Sequence, residues 1–453
     1  MMKDQVVLSQ TDSVCPECLA CIPAIRVARG DDVILKKKCP KHGEFEAVIW
    51  RGIPSYASWS RPKPSSHPRM PLTTVDRGCP WDCGLCPDHR QQTCCVLIEV
   101  TQRCDLKCKV CFADAGKSDR EGPDLSEIQR MFETLLAAGG PYNIQLSGGE
   151  PTLRDDLPEI VALGRSLGFD FIQVNTNGLR MAREPAYVNE LKDAGLSCVF
   201  LQFDGLDDEI CKRLRGRALF REKEQAIAHC MGYELGVILV PTLVPDVNIH
   251  QIGAIIEYAL GHLPGVRGVH FQPVSYFGRY PAERPQNGDR ITLPEIIVQI
   301  EKQTNGKIKT ESFSPPAAEN CYCSFHGNFV LMPNGELKPW TKPDSGSSCC
   351  RGEEAGLGVS RAQDFQKRFW APPQSPCCSS EQGLSLGGWD LFLERVHTHS
   401  FCLSGMAFQD AWNLDLQRLK ECHLHVLHPD GRIIPFCAFN LTDSGGRPIY
   451  RNS

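Results

Sequence analysis

The chain has 453 residues, a net charge of −5 and 23% charged residues. This balance excludes a basic nucleic-acid-binding surface, and the length predicts two or three domains. No apolar stretch reaches the roughly 18 residues of a spanning helix, and Met1 to Gln10 carries charge without the apolar core of a secretory signal. The 24 cysteines cluster at metal-like spacings in a long chain, which favours thiolate-bound metals in a reducing cytoplasm over a disulfide framework.

Residues 1–60 hold Cys15, Cys18, Cys21 and Cys39, with Cys-Pro-Lys-His-Gly at 39–43 and strand-like runs at Val33 to Leu35 and Phe45 to Trp50. They predict a small metal-pinned module of the knuckle type. Cys15, Cys18 and Cys39 read as three ligands of one metal, Cys21 is available as the fourth, and His42 reads as a turn residue. Iron and zinc both accept four thiolates. Residues 61–95 begin in a Pro- and Ser-rich linker and end in a second block, where Cys79, Cys83, Cys86 and Cys94 read as the ligands of an auxiliary cluster. Cys95 reads as a small buried hydrophobe opening a strand.

Residues 96–284 alternate strand and helix about six times. Strands are expected at Val96 to Val100, Tyr142 to Leu146, Phe171 to Val174, Cys198 to Phe203, Val237 to Val240 and Val269 to Val274, with helices at 125–139, 154–167, 186–194, 219–231 and 249–262. The pattern predicts an α/β fold with a parallel sheet curled into a partial (β/α)6 barrel. Cys198, Cys211 and Cys230 read as packing residues within it. Residues 285–453 lose the alternation and read as a C-terminal cysteine-rich domain. There Cys402, Cys422 and Cys437, with Cys323 or Cys321, could close a second auxiliary cluster, and the pairs Cys349-Cys350 and Cys377-Cys378 sit in Gly/Ser/Pro-rich loops.

The chemistry concentrates at strand ends, where a parallel barrel collects functional groups. After the first strand, Cys104, Cys108 and Cys111 form a C-x3-C-x2-C loop. Three thiolates hold three irons of a four-iron cluster and leave the fourth open, unlike the four ligands of an electron-transfer cluster or a structural zinc site. After the second strand come Gly148, Gly149, Glu150 and Pro151, two residues that admit close backbone approach followed by an acceptor and a fixed turn. Asn175 and Asn177 follow the third strand, Gln202 and Asp204 the fourth and Gln272 the sixth. These point toward the expected cavity, and Arg279 could pair with an anion there. Turn chemistry alone explains Asn and Gly singly, but not their convergence beside the cysteine loop.

Cys104, Cys108, Cys111, Phe112 and the Gly148–Pro151 run resemble the radical S-adenosylmethionine (SAM) superfamily. The resemblance implies a [4Fe-4S] cluster on the three cysteines, with SAM chelating the open iron. Gly148 to Glu150 would then lie at the methionyl amine and Asn175 or Asn177 at the ribose. It implies cleavage of SAM to methionine and a 5′-deoxyadenosyl radical that abstracts hydrogen, with electrons from a ferredoxin or flavodoxin. Gly-Cys-Pro-Trp-Asp-Cys-Gly-Leu-Cys-Pro-Asp-His (78–89), Leu-Gln-Phe-Asp-Gly (201–205), 405–415 and 429–440 narrow the resemblance to the branch of archaeal tetraether lipid synthase and pterin methyltransferase-like proteins. Cys-Ser-Phe-His-Gly-Asn-Phe-Val (323–330) is similar to a bacterial group of radical SAM (seleno)proteins. That branch implies a mononuclear iron (or zinc) in the N-terminal module and one or two auxiliary [4Fe-4S] clusters. It leaves two outcomes: carbon–carbon coupling of lipid chains at a membrane periphery, or methylation of a small molecule. A multi-cluster electron-transfer or metal-carrier protein is the alternative; it explains the cysteine count but neither Gly148–Pro151 nor the missing fourth ligand. A zinc-rich interaction scaffold would account for the N-terminal module only.

Overall fold

The structure is a computed structural model that describes residues 5–61, 65–68, 70–117, 122–280, 284–340, 355–372 and 388–451. Residues 5–50 alternate between buried and exposed positions and form an antiparallel sheet of four strands, where two were expected. These are β1 (Gln5–Val14), β2 (Cys21–Arg29), β3 (Asp32–Cys39) and β4 (Gly43–Trp50), paired in that order. The two turns that carry cysteines, between β1 and β2 and between β3 and β4, lie at the same end of this sheet. Buried polar contacts fasten the module to a C-terminal run. The Arg26 guanidinium meets the Asp415 carboxylate at 2.6 Å. Lys37 Nζ donates to the Ala411 carbonyl at 2.7 Å and to Ser13 Oγ at 3.0 Å.

The larger sheet is built on β5 (Cys95–Thr101), β6 (Asn143–Gly148), β7 (Ile172–Thr176), β8 (Cys198–Gln202), β9 (Gly236–Val240), the two-residue β10 (Thr242–Leu243) and β11 (Val266–Pro273). Helices join them, chiefly α1 (Leu125–Ala137), α2 (Leu157–Ser166), α3 (Leu179–Arg183), α4 (Pro185–Asp193), α5 (Asp208–Arg215), α6 (Phe220–Gly232) and α7 (Ile252–Gly261). The boundaries follow local chemistry: Asp124 and Glu127 form a capping box on α1, and Pro185 opens α4. Near-continuous apolar strands, such as Val96 to Ile98, are covered by these helices, as buried parallel strands require.

The last third of the chain departs from the expected separate domain. After α8 (Leu293–Gln303) come β12 (Ser324–Leu331), β13 (Leu337–Pro339), the helices α9 (Ala355–Phe369) and α10 (Gly388–Thr398), and β14 (Ser400–Met406). Then follow α11 (Leu416–Lys420), β15 (Leu424–Leu427), β16 (Ile433–Pro435) and α12 (Phe436–Phe439). β14 pairs parallel to β11 and β15 pairs parallel to β5. The expected six-stranded parallel core thus gains a parallel strand at each side, in the order β15-β5-β6-β7-β8-β9-β11-β14. Side chains from every one of these strands line one cavity, so the sheet curls around it. Among the described residues no helix is long and apolar enough to cross a membrane. The pairs Cys349-Cys350 and Cys377-Cys378 lie outside the described residues.

Candidate functional site: the barrel cavity and its thiol neighbours

The central cavity, of about 230 Å³, has Cys104, Cys108 and Cys111 at its mouth, with Phe112, Gly148, Gly149, Glu150, Asn175, Asn177, Gln202 and Gln272 in its walls. The cysteine loop is strapped from outside. Cys111 exchanges backbone hydrogen bonds with Arg279, each 2.9 Å, and Arg279 Nε donates to the Cys108 carbonyl at 2.7 Å. Arg279 therefore holds the loop through its carbonyls and also pairs with Asp114 at 3.5 Å.

Gly148 has φ +116°, and a Cβ there would lie 2.2 Å from the Thr101 carbonyl oxygen; at Gly149 it would lie 2.1 Å from that of Arg103. Both positions exclude any side chain, because the β6 end runs against the start of the cysteine loop. Gly149 N–H and Glu150 N–H bond to the Thr101 and Arg103 carbonyls at 2.7 and 2.8 Å. The Glu150 carboxylate accepts from Thr152 Oγ1 and Thr176 Oγ1, each 2.6 Å, and from Asn177 N at 2.7 Å. It locks the ends of β6 and β7 together, and burial raises its pKa against these donors. Pro151 is buried in the following turn and does not line the cavity.

The two asparagines part company. Asn177 is consumed: its amide donates to Asp105 at 2.7 Å and its oxygen accepts from Leu179 N at 2.9 Å. The Asn175 oxygen is buried with no hydrogen-bond partner. A buried acceptor of this kind expects a donor from a bound molecule. Three converging cysteines, a backbone cradle closed to side chains and this acceptor fit a cluster with an amino-acid nucleoside ligand. Burial pushes the Cys104 thiol up to about 12, so metal loading there must displace a proton.

Asp204 was expected at the cavity and is not there. Its carboxylate forms a bidentate pair with Arg215, at 2.6 and 2.8 Å, and both side chains are buried. Arg215 is the residue that reaches the cavity. It donates to Thr242 Oγ1 at 3.0 Å and lies against Cys108, and the Gln202 amide oxygen, turned to it, accepts at 3.0 Å. Burial alone would work against its charge; Asp204 and Cys108 restore it. No helix is expected from the sequence over residues 208–215, and nothing there signals that Arg215 turns back to the cavity.

Deeper in the cavity lie Gln145, Gln173, Phe200, His270, Gln366 and Trp370. His270 shares a hydrogen bond with Ser404 at 2.8 Å, and burial lowers its pKa to about 4, leaving it neutral. A signal for this floor exists in the sequence. Gln145 and Ser147, like Gln173 and Asn175, alternate with apolar residues in strands that should be apolar throughout.

The outlying cysteines regroup. Sγ atoms of Cys15, Cys18 and Cys39 and a ring nitrogen of His42 lie within 4.8 Å of one another. His42 Nδ1 is 3.5 Å from both Cys15 and Cys39. His42, expected as a turn residue, takes the place proposed for Cys21, because Cys21 opens β2 beyond the turn and its thiol donates to the Cys79 carbonyl at 3.0 Å. Cys79, Cys83 and Cys86 line one narrow cavity without Cys94. Cys94 is drawn away by the start of β5 and is buried with Ala318 and Val359. Cys323, Cys422 and Cys437 line another, with Arg418 Nη2 3.5 Å from Cys323 Sγ, and without Cys402 or Cys321. Register explains Cys402. It faces Asn328 whereas Ser324, beside Cys323, faces Met406, which puts Cys402 four residues down the strand, about 13 Å. Cys95 opens β5 and is buried, as expected, and it also lines the central cavity.

Comparison with known proteins finds relatives along nearly the whole chain. Residues 98–259 match the radical SAM superfamily and residues 7–51 the HMPTM N-terminal zinc ribbon domain. A 7,8-dihydro-6-hydroxymethylpterin dimethyltransferase of Methanocaldococcus jannaschii is 34% identical over 473 aligned residues, covering 95% of this chain and 93% of the relative. A GTP 3′,8-cyclase of Chlorobaculum tepidum is 28% identical over 242 residues, 52% of this chain and 70% of that one. Streptococcus suis SuiB bound to S-adenosylmethionine covers 48% of this chain and 47% of its own at 15% identity and a TM-score of 0.37. With a three-cysteine loop at the mouth of a curled parallel sheet, and a relative 34% identical along nearly all of both chains, this chain belongs to the radical SAM superfamily.

Proposed function

We propose that this radical SAM enzyme methylates a reduced, pterin-like heterocycle held inside the barrel. The observation that carries the reading is the cavity lining. Gln145, Gln173, Asn175, Gln202, His270 and Gln272 supply amide and imidazole groups, with Phe200 and Trp370 beside them. Such an array suits a flat ring whose edge alternates donors and acceptors and whose faces pack on aromatic side chains. A hydrocarbon chain in the same place would desolvate those groups without replacing their hydrogen bonds, at about 1–3 kcal/mol each. The lipid-coupling expectation therefore finds no support in the cavity. The name of the Methanocaldococcus jannaschii relative, a pterin dimethyltransferase, points the same way.

In this reading Cys104, Cys108 and Cys111 would hold the cluster, and Gly148 and Gly149 would admit the methionyl backbone of SAM. When bound, cluster and SAM supply one-electron reductive cleavage to methionine and a 5′-deoxyadenosyl radical. Asn175 would accept from the bound nucleoside, Arg215 sets a fixed positive charge beside Cys108, and Phe112, packed 5.5 Å from Phe436, keeps water from the mouth. The thiols of Cys79, Cys83 and Cys86, and those of Cys323, Cys422 and Cys437, would hold auxiliary clusters that pass electrons from a ferredoxin- or flavodoxin-like donor. Cys15, Cys18, Cys39 and His42 would hold a single zinc or iron ion.

The test is anaerobic turnover of the reconstituted, reduced protein with a 7,8-dihydropterin and SAM carrying a deuterated methyl group. Expected products are 5′-deoxyadenosine and labelled methionine from the SAM that is reductively cleaved, and S-adenosylhomocysteine and a pterin bearing the labelled methyl from a second SAM that donates it. 5′-Deoxyadenosine with no label in any pterin would sink the substrate reading and leave the radical chemistry standing.

A further inference from the structure

The cysteine block of residues 79–95 lacks its expected fourth thiolate, and the fold puts an imidazole in its place. Cys79, Cys83 and Cys86 share their narrow cavity with His89. The His89 N–H bonds to the Cys86 carbonyl at 3.0 Å, so the turn that presents Cys86 also presents the ring. The residue is 4% exposed. Its Nε2 lies 2.8 Å from the Cys422 carbonyl, which only accepts, so Nε2 carries the proton and Nδ1 keeps its lone pair. A ring nitrogen donated to a backbone carbonyl is the usual support of a metal-ligating histidine, fixing tautomer and orientation together. Cys94, in contrast, sends its carbonyl to Asn143 N at 3.1 Å and its side chain to an apolar contact with Ala318 and Val359.

We propose that His89, through Nδ1, is the fourth ligand of an iron–sulfur cluster held by Cys79, Cys83 and Cys86. The proposal rests on the reading that this block holds a cluster. A single ion fits poorly. Ligands around one tetrahedral ion sit about 2.3 Å from the metal and crowd one another, and among the described residues only the Cys15–His42 group draws its ligand atoms within 4.8 Å. Imidazole in place of a thiolate removes negative charge from the cluster and raises its reduction potential. The same ring touches the backbone of Cys422, whose thiol lines the neighbouring cavity with Cys323 and Cys437. His89 thus joins the two outlying thiol groups directly.

The experiment uses the full chain with Cys104, Cys108 and Cys111 replaced by alanine, so that no SAM-binding cluster contributes, reconstituted anaerobically with iron and sulfide. Cys83→Ala is expected to lose about four irons per chain, while Cys94→Ala keeps the parent's count. The reduced cluster should show a nitrogen hyperfine coupling that changes isotope in protein grown on 15N-histidine. His89→Cys should keep the irons, lose that coupling and lower the potential. Loss of four irons in Cys94→Ala, or a reduced parent with no histidine coupling, overturns the assignment. An unchanged iron count in Cys83→Ala overturns it differently, by removing the cluster on which it depends.

Discussion

The N-terminal module and the barrel mouth use the same ligand chemistry to opposite ends. In the module, two turns at one end of a four-stranded sheet close Cys15, Cys18, Cys39 and His42 around one point, with ligand atoms within 4.8 Å. At the mouth, Cys104, Cys108 and Cys111 come from one loop and face a cavity of about 230 Å³. A closed set saturates its metal and stabilises the fold; an open one leaves a coordination position for a reactant. The difference lies in backbone supply. Two sheet turns can surround a metal, whereas a single loop approaches from one side, with Gly148 at the end of β6 and Gly149 just beyond it packed against the start of that loop.

The sharpest break in this comparison is Cys108→Ala. It should abolish 5′-deoxyadenosine formation and remove about four irons per chain, while the N-terminal metal stays at its parent stoichiometry. Iron, zinc and sulfide counts on the anaerobically reconstituted variant, beside nucleoside analysis, check both halves.

The next effect is on the wall of the open site. Asp204→Asn leaves the buried Arg215 charge without its carboxylate, and breaking one side of a buried ion pair costs about 3–5 kcal/mol. Urea unfolding should show that loss. Arg215→Met with Asp204→Leu should recover much of the stability without restoring SAM cleavage, because the positive charge beside Cys108 is gone. Recovery of both would reduce Arg215 to a structural residue.

How much of each site was legible follows from its contact range. The C-x3-C-x2-C loop and Gly148–Pro151 are short-range motifs at strand ends, and the strand–helix alternation placed them before any contact was known. Cys94 and Cys402 lie among other cysteines in sequence but are set apart by registers that only folding decides: Cys94 at the foot of β5, Cys402 opposite Asn328. β14 and β15 were missed for the same reason. Their paired residues in β11 and β5, such as Gly268 with Cys402 and Cys95 with Leu424, lie 134 and 329 residues away, and a parallel pairing leaves no hairpin signal. Asp204 was legible as polar and at a strand end, but its partner Arg215 sits on α5, a helix the sequence pattern did not announce, so nothing joined the two.

A smaller effect sharpens the closed site. His42→Ala should weaken metal retention at the N-terminal module, and Cys21→Ser should not. Loss of a direct ligand costs at least the tenfold or more that a supporting contact does. Competition with a chelator measures it, and cobalt substitution reports the ligand set, since three thiolates with one imidazole absorb differently from four thiolates. Equal weakening in both variants would return Cys21 to the metal.

The smallest effect comes from the floor of the open site and depends on pH. The His270 pKa is lowered from 6.5 to about 4 by burial. Between those values the unfolded chain binds a proton that the folded chain refuses, so stability falls as pH drops from 6.5 toward 4. The full shift to pH 5 would cost about 2 kcal/mol, but the ring borders the cavity rather than solid core, and water there reduces the effect to about 1 kcal/mol. His270→Gln keeps a polar group beside Ser404 and cannot titrate. Its urea midpoints at pH 7 and pH 5 should lie closer together than the parent's. An unchanged gap would mean that the ring already takes up its proton in the folded barrel, and a charged floor would no longer suit a neutral heterocycle. Burial lowers Lys37 in the N-terminal module and His89 and His425 beside the thiol cavities in the same direction, so the part of the slope that His270→Gln removes is what belongs to the open site.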